Sequence, residues 1–451
     1  MGFDDGWRYA FYLPVGNPVL HRPTLFPGRD QNDWIEGLMK LGNNKGKDAT
    51  MLSGRRKIYT ISASEMREIN RSSILEMIRS SSPISLTQIA EDLQVSLPTV
   101  MRIVDELIAD ELVIEDGEKE WSGGRKRKRL VFNGSQHLVL GVDLGGTKIF
   151  GAVADFNGNL LHEVRLDHHE SKSEGSLDLL CGVIDQLLDF ATETGLPVKG
   201  IGVGVPGVVQ PDSGIVRIAP ALDWVDFPLK TRLMERYSYP IAIENDVNLA
   251  ALGEMWFGTA EDENNLVLLT IGTGIGAGVI INGAVYSGAH NMAGEVGYFL
   301  PERSCLDQEY PGFGALETLA SGTGIAERAR QALQGERTQA ELEALTAYDV
   351  FDAVRHGEAW AAAVLDDSVD YLAQLIAAIA VIFDPDVILL GGGVSRSADL
   401  LIEPICKRLE GSLLLVPNLR ASKLGYRAVV MGAIMQVLRI TSNYYLLQKF
   451  V

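Results

Sequence analysis

Cysteine is scarce and scattered in this 451-residue chain: Cys181, Cys305 and Cys406 are the only three. An odd number at such wide spacing supports neither a disulfide framework nor a cysteine-rich zinc cluster. Long apolar runs are also missing. The longest, from Leu372 to Phe383, is interrupted by Gln374 and falls short of the roughly 18–20 residues a membrane span needs. The amino terminus places Asp4, Asp5 and Arg8 where a secretory signal needs an apolar block, so the expectation is a cytoplasmic protein with no membrane partner. An excess of basic charge is the third absence, since the formal net charge is −19. That charge has an address. Residues 1–50 carry 6 basic and 6 acidic side chains, residues 51–133 carry 13 and 13, and residues 134–451 carry 21 and 40. Phosphate attraction acts over a Debye length of about 8–10 Å, so an acidic bulk does not exclude DNA contact by a neutral head.

Residues 1–60 are rich in Gly, Asn, Asp and Pro without periodicity, and read as an irregular or disordered leader. Residues 61–134 read as a winged helix-turn-helix. Ile69, Ile74, Leu75, Met77 and Ile78 form one helix face that Pro83 ends. Ser85 caps a helix from Leu86 to Leu93, with Gln88 three residues on. Ser96 caps a third, from Leu97 to about Ala109, whose buried face is Val100, Ile103, Val104 and Leu107. A hairpin follows: Leu112 to Ile114, a turn at Asp116-Gly117, and a return at Leu130 to Phe132. In this motif the third helix offers side chains to base edges, here Leu97, Thr99 and Arg102. The wing carries Arg125, Lys126, Arg127, Lys128 and Arg129 after two glycines. Such a run suits phosphate contact or minor-groove entry; alone it could equally be a solvated loop.

The rest of the chain repeats one grammar. Val139 to Lys148 gives a strand and a Gly145-Gly146-Thr147 turn, then a second strand and Asn157-Gly158. Leu266 to Gly278 gives a strand and a Gly272-Thr273-Gly274 turn, then a second strand and Asn282-Gly283. Asn-Gly is the strongest short hairpin signal. Two glycine patterns, Gly272-x-Gly274-x-Gly276 and Gly202-x-Gly204-x-x-Gly207, imitate dinucleotide loops. Such loops must open into a helix, whereas β-branched residues follow both of these. The turns are instead glycine-rich hairpins whose backbone N–H groups can cradle phosphate. A third cluster, Gly391-Gly392-Gly393, follows the apolar run Val387 to Leu390. It suits either close approach of an adenine ring or a tight strand-to-helix turn.

Seven segments in order now carry a resemblance: Asp143-Leu-Gly-Gly-Thr-Lys148, Gly204-Val-Pro-Gly207, Glu244-Asn-Asp-Val-Asn248 with Ala250 to Glu254, Gly272 to Gly278, Ala293-Gly-Glu-Val-Gly297, Leu316-Glu-Thr318 with Ala320-Ser-Gly322, and Leu390 to Val394. Together they resemble the ROK family of sugar kinases and sugar-responsive repressors, and the fused head resembles its repressor branch. The resemblance implies an α/β, actin-like (ribonuclease H-like) duplicated two-lobe fold over residues 135–451. It puts the lobe boundary near residue 246 and returns a C-terminal helix to the first lobe. It makes Asp246 a general base for phosphoryl transfer. Asn245, Asp246, Glu295, Tyr298 and Glu317 would hold a sugar. Asp143, Gly145, Gly146, Thr147, Lys148, Gly272, Thr273, Gly274, Gly391 and Gly392 would hold ATP with Mg²⁺. The bland reading of Asn245-Asp246 is a helix cap, and both roles are compatible.

The departures from the family pattern matter. The usual His of the Glu-x-Gly-His segment is Tyr298, and the usual three cysteines fall on Gln308, Tyr310 and Ala315. Tetrahedral zinc wants thiolate and imidazole ligands, so no zinc is expected, with Tyr310, Pro311 and Phe313 packing the loop. The family's Pro-Asn-Leu is Pro220-Ala221-Leu222 here. The implied function is a sugar-responsive transcriptional regulator, expected to repress. Its partners would be operator DNA and a sugar or sugar phosphate effector, and its state a homodimer or homotetramer. The alternative is an ATP-dependent sugar kinase carrying a DNA-binding head.

Overall fold

A computed structural model describes residues 63–120, 127–168, 172–261, 263–310 and 314–441. The leader expected over residues 1–60 lies outside them, as do Arg125, Lys126, Pro311 and Phe313. The head comprises α1 (Ala63–Ser81), β1 (Ile84–Ser85), α2 (Leu86–Asp92), α3 (Leu97–Ala109), β2 (Val113–Glu120) and β3 (Arg127–Phe132). Its strands form an antiparallel sheet ordered β1-β3-β2. Helix α2 starts on the expected cap, with the Gln88 amide donating to Ser85 Oγ at 3.2 Å. Helix α3 does not. The Ser96 hydroxyl meets Thr99 Oγ1 at 2.8 Å, while the Thr99 amide goes to the Ser96 carbonyl. The expected turn at Asp116-Gly117 is overturned as well. Asp116 pairs with Arg129 inside the ladder, and the register shifts between Asp116 and Glu120. Gly117 therefore falls in a bulged strand, where an unpaired glycine costs little sterically. Part of the basic run is accordingly strand, and Arg129 donates to the Pro83 carbonyl at 3.1 Å.

The body holds β4 (Leu138–Leu144), β5 (Lys148–Asp155), β6 (Leu160–Asp167), α4 (Glu174–Thr194), β7 (Val198–Val205), β8 (Val208–Gln210), β9 (Ile215–Ala219), β10 (Trp224–Phe227), α5 (Leu229–Met234), β11 (Ile241–Asn245) and α6 (Asp246–Phe257). It continues through β12 (Leu266–Ile271), β13 (Ile275–Ile281), β14 (Ala284–Val285), α7 (Ala315–Ala320), α8 (Gly322–Ala332), α9 (Gln339–Ala344), α10 (Ala347–Arg355), α11 (Ala359–Phe383), β15 (Val387–Gly391), α12 (Ile402–Leu409), β16 (Leu419–Ala421) and α13 (Ala428–Thr441). The first sheet runs β6-β5-β4-β7-β11 and the second β14-β13-β12-β15-β16. In each, two antiparallel neighbours flank a central strand on one side and two parallel strands follow on the other. The repeat is thus one topology used twice. Near-continuous Val, Ile and Leu in β4, β12 and β15 fit parallel strands covered on both faces.

Alternating glycines explain one of the imitated dinucleotide loops. Gly200, Gly202 and Gly204 recur at the two-residue period of β7 and so share a face. With Gly141 of β4 they lie under α13, where an added Cβ would come within 2.4–2.8 Å of Val437, Ala433, Val429 or Val430. Helices α6 and α13 cross equally closely: a Cβ at Gly432 would sit 1.8 Å from the Leu249 carbonyl oxygen. The C-terminal helix therefore packs on both the first sheet and α6.

The head is not an appendage on a loose tether. Ile74, Ile78, Leu107, Leu112 and Leu130 share one buried cluster with Phe156, Met431, Met435 and Leu438 of the body. The guanidinium of Arg79 lies 4.7 Å from the ring centroid of Trp256, in the last turn of α6. Just past α3, the carbonyl of Glu111 accepts from Asn133 Nδ2 and from His137 Nε2, both at 2.8 Å. Burial pushes the His137 imidazole down, so the neutral ring donates through Nε2.

Candidate functional site

The parallel strands β4, β7 and β11 end side by side, with Asp143 opposite Gly204 and Gly204 opposite Glu244. The chain then turns at Asn245 into α6. Asn245 caps that helix, its Oδ1 accepting the Asn248 amide at 3.0 Å. Its Nδ2 donates to the Gly207 carbonyl at 3.0 Å and to Asp246 Oδ1 at 3.1 Å. The Val247 amide adds a bond to the same oxygen at 2.9 Å. Asp246 Oδ1 is thereby fixed. The cap reading of this dipeptide holds: Asn245 caps α6 and its side chain also orients Asp246.

Beneath them lies Glu244, a residue for which sequence reasoning found no role. It is buried, accepts the Asn245 amide at 2.9 Å and Asn248 Nδ2 at 3.1 Å, and is met by Gln436 of α13. Burial pushes its carboxyl up. Glu254, fully buried at the far end of α6, accepts from the Thr259 and Leu424 amides and the Ser422 hydroxyl. It ties α6 to the segment leading into α13.

The second lobe carries Glu317 on a helix and Glu295 on a loop. Glu317, in the first turn of α7, accepts the Ile275 amide and the Gly314 amide, each at 2.9 Å. Glu295 is half-buried and precedes the short helical turn Val296–Tyr298. Asp143, Asp246, Glu295 and Glu317 form a chain of mutually repelling carboxylates. Burial, then the charge of Asp246, pushes Asp143 up to about 8. Burial raises Asp246, opposed by the Val247 amide. Burial, then Asp246 and Glu317, pushes Glu295 up to about 7. Tyr298 is 58% exposed, and its phenol is raised by partial burial and by Glu295 and Glu317.

The first glycine turn closes with the Gly145 amide on the Lys148 carbonyl at 2.9 Å and leaves Thr147 and Lys148 exposed. Its brace is His168, which the sequence did not disclose. The His168 amide bonds the Thr147 carbonyl at 2.8 Å, and Nε2 meets the Gly145 carbonyl at 3.0 Å. The second turn is braced differently. The Gly322 amide, at the start of α8, donates to the Gly272 carbonyl at 2.7 Å, and Thr323 Oγ1 donates to the Thr273 carbonyl at 3.0 Å. Gly391 pairs with Thr270 across the β12–β15 ladder. Gly392 has φ +77°, and a Cβ there would fall 2.6 Å from the Ile271 carbonyl oxygen. The cluster is thus a close strand-to-turn approach beside the Gly272 turn, with Gly392 exposed.

The chain matches the ROK family model over residues 139–440 and the MarR family model over residues 68–114. The chain belongs to the ROK family. A putative xylose repressor of Caldicellulosiruptor sp. is 31% identical, over 83% of this chain and 96% of that protein. A glucokinase of Halalkalibacterium halodurans is 36% identical, over 61% of this chain and 86% of that protein. Among solved structures, a ROK family transcriptional regulator homologous to the Escherichia coli MLC protein superposes with a TM-score of 0.75 at 25% identity, covering 84% of this chain and 98% of that one. The kinase match covers 61% of this chain and the repressor match 83%, and the MarR model matches within the head. This ROK protein is therefore a sugar-responsive transcriptional regulator of the repressor type.

Two features separate it from a zinc-bearing ROK pattern. Gln308 is bonded to the Ser304 carbonyl, and Tyr310 to Gln308 at 3.3 Å. Cys305 is buried, and among the described residues no group of three His, Cys, Asp or Glu side chains could hold a metal ion. These residues do not fit a tetrahedral zinc site. On the head, Leu97 and Arg102 of α3 are exposed, while Thr99 is half-buried and shares its hydroxyl with Ser96. Met101, 47% exposed beside Arg102, is a further side chain presented by α3 that the sequence reading passed over. The side chain of Arg127 lies outside the described residues, although its backbone opens β3. Among the described residues, no helix is long and apolar enough to cross a membrane.

Proposed function

We propose that this protein represses transcription from an operator, and that a sugar bound at Asp246, Glu295, Glu317 and Tyr298, with Asn245 orienting Asp246, sets the geometry of the head. The observation that carries the coupling is helix α6. Its first residue, Asp246, lies in the sugar site, and its last turn holds Trp256 against Arg79 of the head. Twelve residues at about 1.5 Å each span roughly 18 Å, a rigid link between the two places. A sugar that favours one lobe arrangement shifts α6 and α13 together, because their backbones touch at Gly432. Operator half-sites are spaced by geometry, about 34–36 Å per turn, so a modest rotation of paired heads in a homodimer or homotetramer releases DNA. Leu97, Thr99 and Arg102 would read bases, and the Arg125–Arg127 run would hold phosphates.

The test is a sugar-panel thermal shift alongside an operator shift assay. Asp246→Asn should lose the stabilisation by sugar and stay on the operator when sugar is added. Trp256→Ala should keep the sugar shift but lose sugar-induced release. Release with wild-type dependence in Trp256→Ala would remove α6 from the account. A second reading, phosphorylation of the bound sugar, is favoured by the two intact turns with exposed Thr147, Lys148 and Thr273. These residues, with Gly145, Gly146, Gly272, Gly274, Gly391, Gly392 and Asp143, fit ATP and Mg²⁺. ATP when bound would supply the phosphoryl group, and Asp246 Oδ2 would take the proton from the attacking hydroxyl. Absence of ATP turnover with every sugar would eliminate it.

A further inference from the structure

From Ala428 to Leu438, helix α13 is apolar apart from Gln436, and the whole of that stretch is buried. A buried amide costs free energy unless it is hydrogen-bonded, so the partner of Gln436 is informative. Its Nε2 donates to Glu244 Oε2 at 3.4 Å. The other oxygen of Glu244 accepts the Asn245 amide at 2.9 Å and Asn248 Nδ2 at 3.1 Å. Glu244 therefore stands between α13 and the cap of α6, and it holds the backbone of the residue whose side chain orients Asp246.

The contact belongs to a regular pattern. Ala428, Gly432 and Gln436 recur every four residues and so share one face of α13. A Cβ at Gly253 would strike the Ala428 carbonyl oxygen, and one at Gly432 would strike the Leu249 carbonyl oxygen. Gln436 meets Glu244 one turn further on. Close apolar packing is non-directional, whereas a hydrogen bond weakens steeply away from its preferred angle. Of the three contacts, the polar one is thus best suited to fix where one helix stands along the other. Other side chains of α13 face the head: Met431, Ile434, Met435 and Leu438 share one buried cluster with Ile74, Ile78 and Leu107. A shift of the Glu244–Asn245 pair that α13 follows is therefore delivered to the DNA-binding module.

We infer that the Glu244–Gln436 bond is the link through which sugar binding at Asp246 moves α13 and, with it, the head, which makes Glu244 a positioning residue. This rests on the proposed sugar site and adds a polar route beside the contact of Trp256 with Arg79.

The test uses the full chain and a DNA duplex that the wild-type chain selects from a randomised library. Coupling is the ratio of the Kd for that duplex with and without saturating sugar. The sugar is whichever of D-xylose, D-glucose and N-acetyl-D-glucosamine raises the wild-type melting temperature. Gln436→Leu should keep that melting shift and the sugar-free DNA affinity, while the ratio falls at least about fivefold. Gln436→Glu should lose coupling at least as far, because two buried carboxyls would then face each other. Adding Glu244→Gln to it again sets one carboxyl opposite one amide, and should return the ratio to within about twofold of wild type. A merely structural role for either side chain would not produce that recovery.

A wild-type ratio in Gln436→Leu overturns the inference and leaves the sugar site and the Trp256 contact standing. Loss of the melting shift in that variant also overturns it, since Gln436 would then support the site itself. So does an exchanged pair that fails to recover coupling. If none of the three sugars shifts the wild-type melt, the sugar-site reading fails first and this inference with it.

Discussion

The two glycine turns share a grammar and differ in what holds them. The Gly145–Lys148 turn is braced by His168, a side chain with no other part in the site. The Gly272–Gly274 turn is braced by the start of α8 and by Glu317, which bonds the next amide, Ile275, and is one of the acids proposed to hold the sugar. If the proposed sugar site is right, the first turn can be perturbed without touching the sugar, and the second cannot. On the proposed function, a duplicated fold has kept one lobe's loop mechanically separate and joined the other's to ligand recognition.

The largest effect should come from Glu317→Ala. It strands the Ile275 and Gly314 amides, and each unpaired buried donor costs about 1–3 kcal/mol. Denaturant melts should show a loss of roughly 2–5 kcal/mol, together with no sugar-induced shift. Wild-type stability in that variant would break the claim that the acid supports the turn. His168→Ala should cost less, about 1–3 kcal/mol for the lost bond and packing, and should leave the sugar shift intact. Loss of the sugar shift there would show that the first turn is not independent. On the head, Arg102→Ala should weaken operator discrimination by about 1–3 kcal/mol if the side chain reads a base. An equal loss on all DNA sequences would reassign Arg102 to phosphate contact.

A pH profile also separates the lobes. Asp143 and Glu295 are both raised in the folded chain, to about 8 and about 7. A folded state that keeps protons released by the unfolded chain is favoured at low pH and loses that advantage as pH rises through the folded values. Melting temperature should therefore fall from about pH 5 to pH 8 through these groups. Glu295→Gln should flatten the fall up to about pH 7 and leave the fall between about pH 7 and 8, which Asp143→Asn should remove. Thermal melts across this range check both, and a profile unchanged by either variant would take these acids out of the pH dependence.

Much of this was legible in the sequence because it rests on local rules. Asn-Gly turns, apolar alternation and the Ser85 cap are short-range signals, and the repeated strand-turn-strand pattern surfaced as two sheets of one topology. Glycines at period two in β7 were visible too, but their partner was not, since α13 lies over 200 residues away in the chain. The turn at Asp116-Gly117 failed for the opposite reason. The local signal was real, yet pairing with Arg129 across the ladder extended the strand through it.

The sequence alone determined which chemistry is present: the carboxylates, the glycine turns, the basic run and the missing zinc ligands. Residue type and near-neighbour spacing suffice for that. Only the tertiary structure decided which groups act together, because burial, repulsion and backbone contact depend on distance in space. It brought His168 under Gly145, joined Glu317 to the second turn, and gathered four acids from both lobes. It also set Trp256 of α6 against the DNA-binding head.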